Sequence, residues 1–434
     1  MEAILARAQK VAKEAEVFEV TSEETQVRFE ANRLKQMQTN QSTTLALRII
    51  KDGRVGYATT TGTGDGQQLV EDALETAAFG SEAKFKLPDG AKYPKVDIFD
   101  PAVPQVSIKE MVTLGEKMVD AVTSHTAGIL CDAMVTRSVM TVRLLNSRGG
   151  QAVYKKSFFS LDLEGNLIKG TDMLFVGEGE CSCHPLPNPQ NVIDVVLRQL
   201  DLAKHKAKSP TKVLPIIFTS NGVAGALILP LISAFNGKVV LEGASPLADK
   251  TGKTVFDKNF SLYDDPMAAY RPASRPCDDE GVASQRTPLV SKGIVNGFLY
   301  DLQTAALAKK KSTGNGSRNR GSLPTPAPSA LVITPGKTTF DEMVGDIKEG
   351  LVIEQLMGAE QGNILGGDFS GNVLLGFKIE NGKIVGRVKD TMVSGNVYKI
   401  LKDIAAIGSE TKWVSSFLQT PPFYCKGLSV SSKG

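Results

Sequence analysis

FEVTSEETQVRFEANRLKQMQTNQSTTLALRIIKDGRVGYATT, residues 18 to 60, is the stretch that decides the fold class of the first half of this chain. It reads as several strands, with Asp52-Gly53 supplying the left-handed positions of a tight hairpin turn. An antiparallel sheet therefore opens the fold. Upstream, MEAILARAQKVAKEAE places Ile4, Leu5, Ala8, Val11 and Ala12 on one face of a helix. Downstream, Ser107 and Glu110 form a capping box, and Met111, Leu114, Met118 and Val122 recur along one face, so the spacing predicts a helix over 107–124. A second strand group follows over about 128–178, with turns expected at Ser147 to Gly150 and at Gly165-Asn166. It leads into an amphipathic helix carrying Ile193, Val196, Leu197, Leu200 and Ala203. Strands followed by a helix thus occur twice. That order suggests a duplicated α+β unit, although VRFEANRL at 27–34 and VRLLNSRG at 142–149 share little beyond their first two residues.

The second half is richer in glycine and proline and reads mainly as β structure. Asn296-Gly297 and Asn381-Gly382 each lie between apolar alternating runs, and the latter predicts a hairpin over 372–389. Helices are expected over about 299–310 and after Thr339, where TFDE makes a second capping box and Gly350 would stop the helix. Residues 247–281 and 309–329 read as mobile or irregular loops. The expected fold is α+β and two-lobed: an N-terminal antiparallel sheet with helices over 1–210, and a β-rich domain over 211–434.

Composition narrows the function classes. The 434 residues carry 50 basic and 47 acidic side chains, a formal charge of +3, so no field-driven binding to nucleic acid is implied. The longest apolar stretches, at 213–218 and 225–235, fall short of the ~20 residues of a membrane span, and the first residues lack a signal-peptide core. A cytoplasmic protein without membrane contact is expected. Five scattered cysteines make no disulfide framework and predict free thiols.

Four local constellations invite chemistry. Cys181-Ser182-Cys183-His184 is the densest group of metal-ligand residue types, and a distant Cys277 could complete it, but the spacing suits a polar loop better than a zinc site. Gly62-Thr63-Gly64-Asp65-Gly66 could cradle a phosphate at a helix start, yet Asp65 would repel an anion and reads as an N-cap. Lys309, Lys310, Lys311, Arg318 and Arg320 in KKKSTGNGSRNRGS could hold a carboxylate or phosphate, and in isolation read as a solvated turn. The run Cys277-Asp278-Asp279-Glu280 reads as a solvent-facing loop. Serine nucleophile chemistry needs a histidine base, and His125, His184 and His205 stand in no such context.

Three blocks carry a resemblance: GIVNGFLYDLQTAALAKKKSTGNGSR at 293–318, PTPAPSALVITPG at 324–336, and GGDFSGNVLLGFKIENGKIVGRVKDTMVSGNVYKIL at 366–401. Together they resemble the C-terminal half of the TldD/PmbA family, historically labelled modulators of DNA gyrase. The resemblance implies a two-lobed α+β fold and a dimerising protein. In the TldD branch it implies a zinc peptidase for unfolded peptides, whose metal is held by an HExxxH helix and a later cysteine. Here that helix would fall at NGVAGALILPLISAFNG, 221–237, with Ile228 and Leu229 near the first histidine and glutamate positions and Ser233 near the second histidine. Cys425 lies beyond the place of the metal cysteine. Isoleucine and leucine offer no lone pair to a dication. Leu227, Ile228, Leu231, Ile232 and Phe235 instead form a packing stripe, with Pro230 kinking the helix or marking its start.

The chain is thus similar to the PmbA (TldE) side of the family. That similarity implies a non-catalytic subunit without a cofactor, metal or catalytic residue of its own. It would support proteolysis of extended peptides as a homodimer or as a heterodimer with a zinc-bearing TldD-type subunit. The resemblance centres on STGNGSR, which assigns Thr313, Asn315 and Arg318 to binding in the interlobe cleft. The alternatives are a standalone homodimeric peptide-binding protein, and an enzyme with its chemistry relocated to Cys181, Cys183 and His184.

Overall fold

In the computed structural model, which describes residues 1–62, 66–319 and 321–433, the quoted stretch forms long antiparallel strands. Strands β1 (Glu14–Glu30), β2 (Arg33–Lys51) and β3 (Arg54–Thr61) follow helix α1 (Glu2–Ala8) and precede α2 (Gly66–Phe79). Ala31-Asn32 and Asp52-Gly53, all at positive φ, make the two hairpin turns. The same order then recurs. Helix α3 (Ile108–His125) precedes β4 (Leu130–Asn146), β5 (Gln151–Lys169) and β6 (Asp172–Ser182), and α4 (Gln190–Leu202) closes the unit. The two units join through β1 and β4 into one sheet of order β3-β2-β1-β4-β5-β6. The repeated order of elements is real although the residues hardly repeat, because a helix–meander–helix unit needs only its periodicities and turns.

Strand alternation gives this sheet two unlike faces. One face is apolar and lies under the helices: Ala15, Val17, Leu47 and Ile49 meet α1 and α2. Val27, Phe29, Val135, Leu161 and Leu163 meet α3 and α4. The predicted capping box starts α3: Ser107 N–H donates to the Glu110 carboxylate at 2.7 Å, and Glu110 N–H donates to the Ser107 hydroxyl at 3.2 Å. The outer borders of β3 and β6 are sealed in matching ways. Tyr57 N–H donates to the Thr76 hydroxyl, which donates to Tyr57 C=O, each at 2.8 Å. The buried Gln199 of α4 accepts from Gly177 N–H at 2.9 Å and donates to its C=O at 3.2 Å. By contrast, β3 pairs with β2 only from Thr44 onward, so Arg33 to Ser42 remain exposed at the border.

The second half is built round strands β7 (Lys212–Phe218), β14 (Glu349–Met357), β15 (Asp368–Glu380), β16 (Lys383–Arg387), β17 (Thr391–Asn396), β18 (Ile404–Ile407) and β21 (Phe423–Ser432). Their order β14-β7-β21-β17-β15-β16, with a further β14–β15 pairing, closes the sheet on itself. A smaller sheet, β10-β9-β8-β13-β20-β19, uses β8 (Leu262–Asp264), β9 (Thr287–Ser291), β10 (Ile294–Val295), β13 (Leu331–Ile333), β19 (Lys412–Val414) and β20 (Leu418–Thr420). Between them, β11 (Gly316–Ser317) pairs with β12 (Thr325–Pro326). The Asn381-Gly382 hairpin forms as expected between β15 and β16. Both α8 (Leu302–Leu307) and α9 (Phe340–Asp346) begin with capping boxes, at Asp301 and Thr339.

The stretch expected as one helix at 221–237 is three: α5 (Ser220–Ala226), α6 (Ile228–Ala234) and α7 (Gly237–Leu241). Pro230 sits in the first turn of α6, where its missing N–H has no intrahelical partner to lose. Leu227, Ile228, Leu231 and Phe235 are buried in the core of this half, each contributing about 1.5–3 kcal/mol relative to exposure.

Several local expectations are corrected. Gly165-Asn166 lies inside β5, and the turn to β6 falls at Gly170. A Cβ at Gly165 would stand 2.8 Å from Ile129 and 2.9 Å from Val176, so glycine serves close packing there. The hairpin next to Asn296-Gly297 turns at Lys292-Gly293, which have positive φ, and Phe298 onward enters the core instead of a strand. Helix α9 ends at Asp346, and Gly350 lies within β14. The segments 247–281 and 309–329 hold buried polar residues and strands β8, β11 and β12. The motif at 62–66 and Arg320 fall wholly or partly on residues outside those described.

Candidate functional site

The sheet face turned away from the helices divides in two. Its first part, around Glu16, Phe18, Ala46, Arg48 and Leu144, is covered by segments of the second half, including Cys277 to Glu280. The acidic run is therefore not solvent-facing: Asp278 and Glu280 are 2% and 1% exposed. Burying carboxylates is costly unless they are paired or hydrogen-bonded; Glu280 has a cation and Asp278 three backbone N–H donors. Arg48 donates to Glu280 at 2.6 Å and to Glu16 at 3.0 Å. Arg318 donates to Glu16 as well, and its backbone N–H and Nε reach Asp279 at 2.8 and 3.0 Å. Asp278 accepts from the N–H groups of Gly316, Glu280 and Val282 at 2.8 to 3.0 Å. Burial pushes the Glu280 carboxyl above the usual range, although Arg48 pulls it back. The pairs Arg48–Glu280 and Arg318–Glu16 join residues 232 and 302 positions apart and staple the two halves together.

The three residues expected to bind in the cleft belong to this stapled region. Thr313 accepts from Tyr300 N–H at 2.8 Å and donates to Tyr300 C=O at 3.1 Å. Asn315, 1% exposed, donates to Asp264 at 2.7 Å and to Ala327 C=O at 3.1 Å. Arg318 is spent on Glu16 and Asp279. All three side chains are thus turned to internal partners.

The second part of the same face is open. It forms the floor of a groove of about 790 Å³ between the first sheet and the second half. Glu24 and Gln26 of β1, Leu130, Asp132, Met134 and Thr136 of β4, and Phe158, Ser160, Asp162 and Glu164 of β5 line it. Gly177 to Cys181 of β6 form its side, and Asn221 of α5, Gln355, Leu374 and Val414 to Ser416 close it from the second half. Six carboxylates line this groove and no lysine or arginine does. Burial raises the Asp162 carboxyl above its ordinary range against a hydrogen bond from Ser160, with Glu164 and Glu178 adding to the rise. Beyond the lining, Lys412 pairs with Glu178, and burial holds Glu354 high while Thr219 donates to it at 2.9 Å. These acidic residues escape a sequence reading because they come from separate strands and meet only through register: Asp132 stands directly opposite Glu164.

The Cys-Ser-Cys-His cluster does not converge. Cys181 donates to Ser415 C=O at 3.3 Å, and burial pushes its thiol and that of buried Cys183 up to about 11. His184 binds Asp100 at 2.6 Å and stacks on Tyr270 with centroids 3.7 Å apart. All five cysteines are free. At the positions where the resemblance would place a metal helix, Ile228 is buried, Leu229 is 43% exposed and Ser233 is half-buried, and Cys425 lies in the core. Among the described residues, no three His, Cys, Asp or Glu side chains gather in a way that could hold a metal ion. Such a donor set does not fit zinc. No helix among the described residues is long and apolar enough to cross a membrane.

Residues 211–432 match the family model of the PmbA/TldA metallopeptidase C-terminal domain, and residues 15–78 match that of domain 1. An uncharacterized protein of Methanocaldococcus jannaschii is 28% identical over 411 residues, 93% of each chain. A metalloprotease of Methanothermobacter thermautotrophicus is 25% identical over 417 residues, covering 91% of this chain and 88% of that one. The crystal structure of TldE from Thermococcus kodakarensis superposes with a TM-score of 0.90 over the whole of both chains at 23% identity, a likeness of fold.

Proposed function

The chain belongs to the PmbA/TldD metallopeptidase family, and on that premise we propose that it acts as a PmbA/TldE-like subunit without a zinc centre of its own. It holds extended, unfolded peptides for a zinc-bearing TldD-type partner that cuts them. The observation that supports this reading most is the chemistry of α6: Ile228 and Leu229 bring hydrocarbon to positions that a peptidase of this family would give to an imidazole and a carboxylate. Beside α5 the groove stays open, wide enough for a chain of peptide. In this reading Thr313, Asn315 and Arg318 serve binding indirectly, by anchoring their loop to Tyr300, Asp264 and Asp279 where the two halves meet.

The test is purification of the chain alone and together with a TldD-type homologue carrying HExxxH. The expected result is no stoichiometric zinc and no hydrolysis of an unfolded protein by the chain alone, with chelator-sensitive hydrolysis by the pair. A zinc-loaded, proteolytic single chain would overturn the reading.

A further inference from the structure

Asp132 and Glu164 are direct register partners on the groove floor. Like charges directly opposite one another on a sheet destabilise it; here both carboxylates are exposed, and Asp132 accepts a bond from Ala31 N–H at 2.8 Å. No lysine or arginine among the described residues is paired with Asp132, Asp162 or Glu164. Cations close to the groove have other partners: Arg28, opposite Met134 on the same face, pairs with Glu30 at 3.0 Å, Lys412 pairs with Glu178 on the groove's side, and Arg271 lies over the Trp413 ring at 4.8 Å. A second observation is independent of charge. Thr136 lines the same floor, is 3% exposed, and its hydroxyl has no hydrogen-bond partner. A buried hydroxyl without a protein partner is uncommon, and here it offers a free polar atom to whatever occupies the groove. Between these polar groups lie Leu130, Met134 and Phe158, surfaces on which the methylene stem of a long cationic side chain can rest while its head stays polar.

We propose that this groove recognises extended peptides through their lysine and arginine side chains, one cationic head lying between Asp132 and Glu164 and the adjoining peptide group meeting the Thr136 hydroxyl. The inference rests on the peptide-binding part of the proposed function and adds the class of peptide. It explains why two carboxylates face each other unneutralised in a protein whose overall charge is +3. Acidic peptides are excluded by the same carboxylates, so the groove selects by repulsion as well as attraction.

Three labelled peptides of equal length, alternating alanine with lysine, glutamine or glutamate, test this by fluorescence anisotropy on the full chain. The lysine peptide is expected to bind roughly tenfold more tightly than the glutamine peptide. That preference should shrink at high salt. The isosteric pair Asp132→Asn with Glu164→Gln should erase most of it while leaving the glutamine peptide unchanged. Glu75→Gln with Glu116→Gln, acidic positions outside the groove, should keep it in full. Equal binding of the lysine and glutamine peptides overturns the charge selection and leaves the peptide-binding reading standing. Absence of binding by all three peptides overturns both. Full preference in the groove variant overturns the assignment to Asp132 and Glu164.

Discussion

Glu16 and Glu24 lie on one strand and one face, eight residues apart, yet their surroundings are opposite. Glu16 is sealed under the 277–322 region and shared by two arginines, whereas Glu24 looks into a groove whose other carboxylates have little to neutralise them. The covered part meets each of Glu16, Asp278, Asp279 and Glu280 with an arginine or with backbone N–H groups, because water cannot screen a charge there. The open part can leave carboxylates facing each other because water, or a ligand, does the screening. Where the two halves of the molecule meet, the same residue types therefore serve cohesion in one place and recognition in the other.

The largest expected effect lies in the covered part. Arg48→Ala leaves the buried Glu280 without its cation and Glu16 with Arg318 alone, and should cost about 3–5 kcal/mol in chemical denaturation. A loss below ~1 kcal/mol would mean the staple is dispensable and would break the comparison. A smaller effect is read from pH. Glu280 is raised in the folded state by burial, with Arg48 pulling it back, so its contribution is present below the ordinary carboxylate range and is lost as pH rises above that range. Stability of the native chain should carry a declining component across that window, and Glu280→Gln should remove it. The smallest effect belongs to the open part. The Asp132→Asn, Glu164→Gln variant should change stability by no more than about 0.5 kcal/mol, in the stabilising direction if at all, since it relieves a like-charge pair. A destabilisation comparable with that of Arg48→Ala would show that the groove carboxylates are structural after all.

Legibility in the sequence tracks the range of the interaction. The hairpin turns at Asp52-Gly53 and Asn381-Gly382 and the capping boxes at Ser107 and Thr339 are made by neighbours in the chain, and all were legible. Gly165-Asn166 misled because the glycine answers to Ile129 and Val176, contacts that no local pattern records. The acidic run at 278–280 looked solvated because its arginine partner lies more than two hundred residues upstream. Thr313, Asn315 and Arg318 were singled out by family likeness, which marks a segment without saying which way its side chains turn. The groove itself is a product of strand pairing, so Asp132 and Glu164 carry no signature until β4 and β5 lie side by side.

The sealing of β3 by Thr76 and of β6 by Gln199, against the bare edge from Arg33 to Ser42, bears on how copies could associate. Growth of a sheet from chain to chain needs two free margins on every chain, one to receive and one to offer. Among the described residues the uncovered stretch of β2 from Arg33 to Ser42 is such a margin, and pairing two chains along it would use it up on both participants. Association by this route would spend the same ten residues of β2 on each chain and leave that border covered in both.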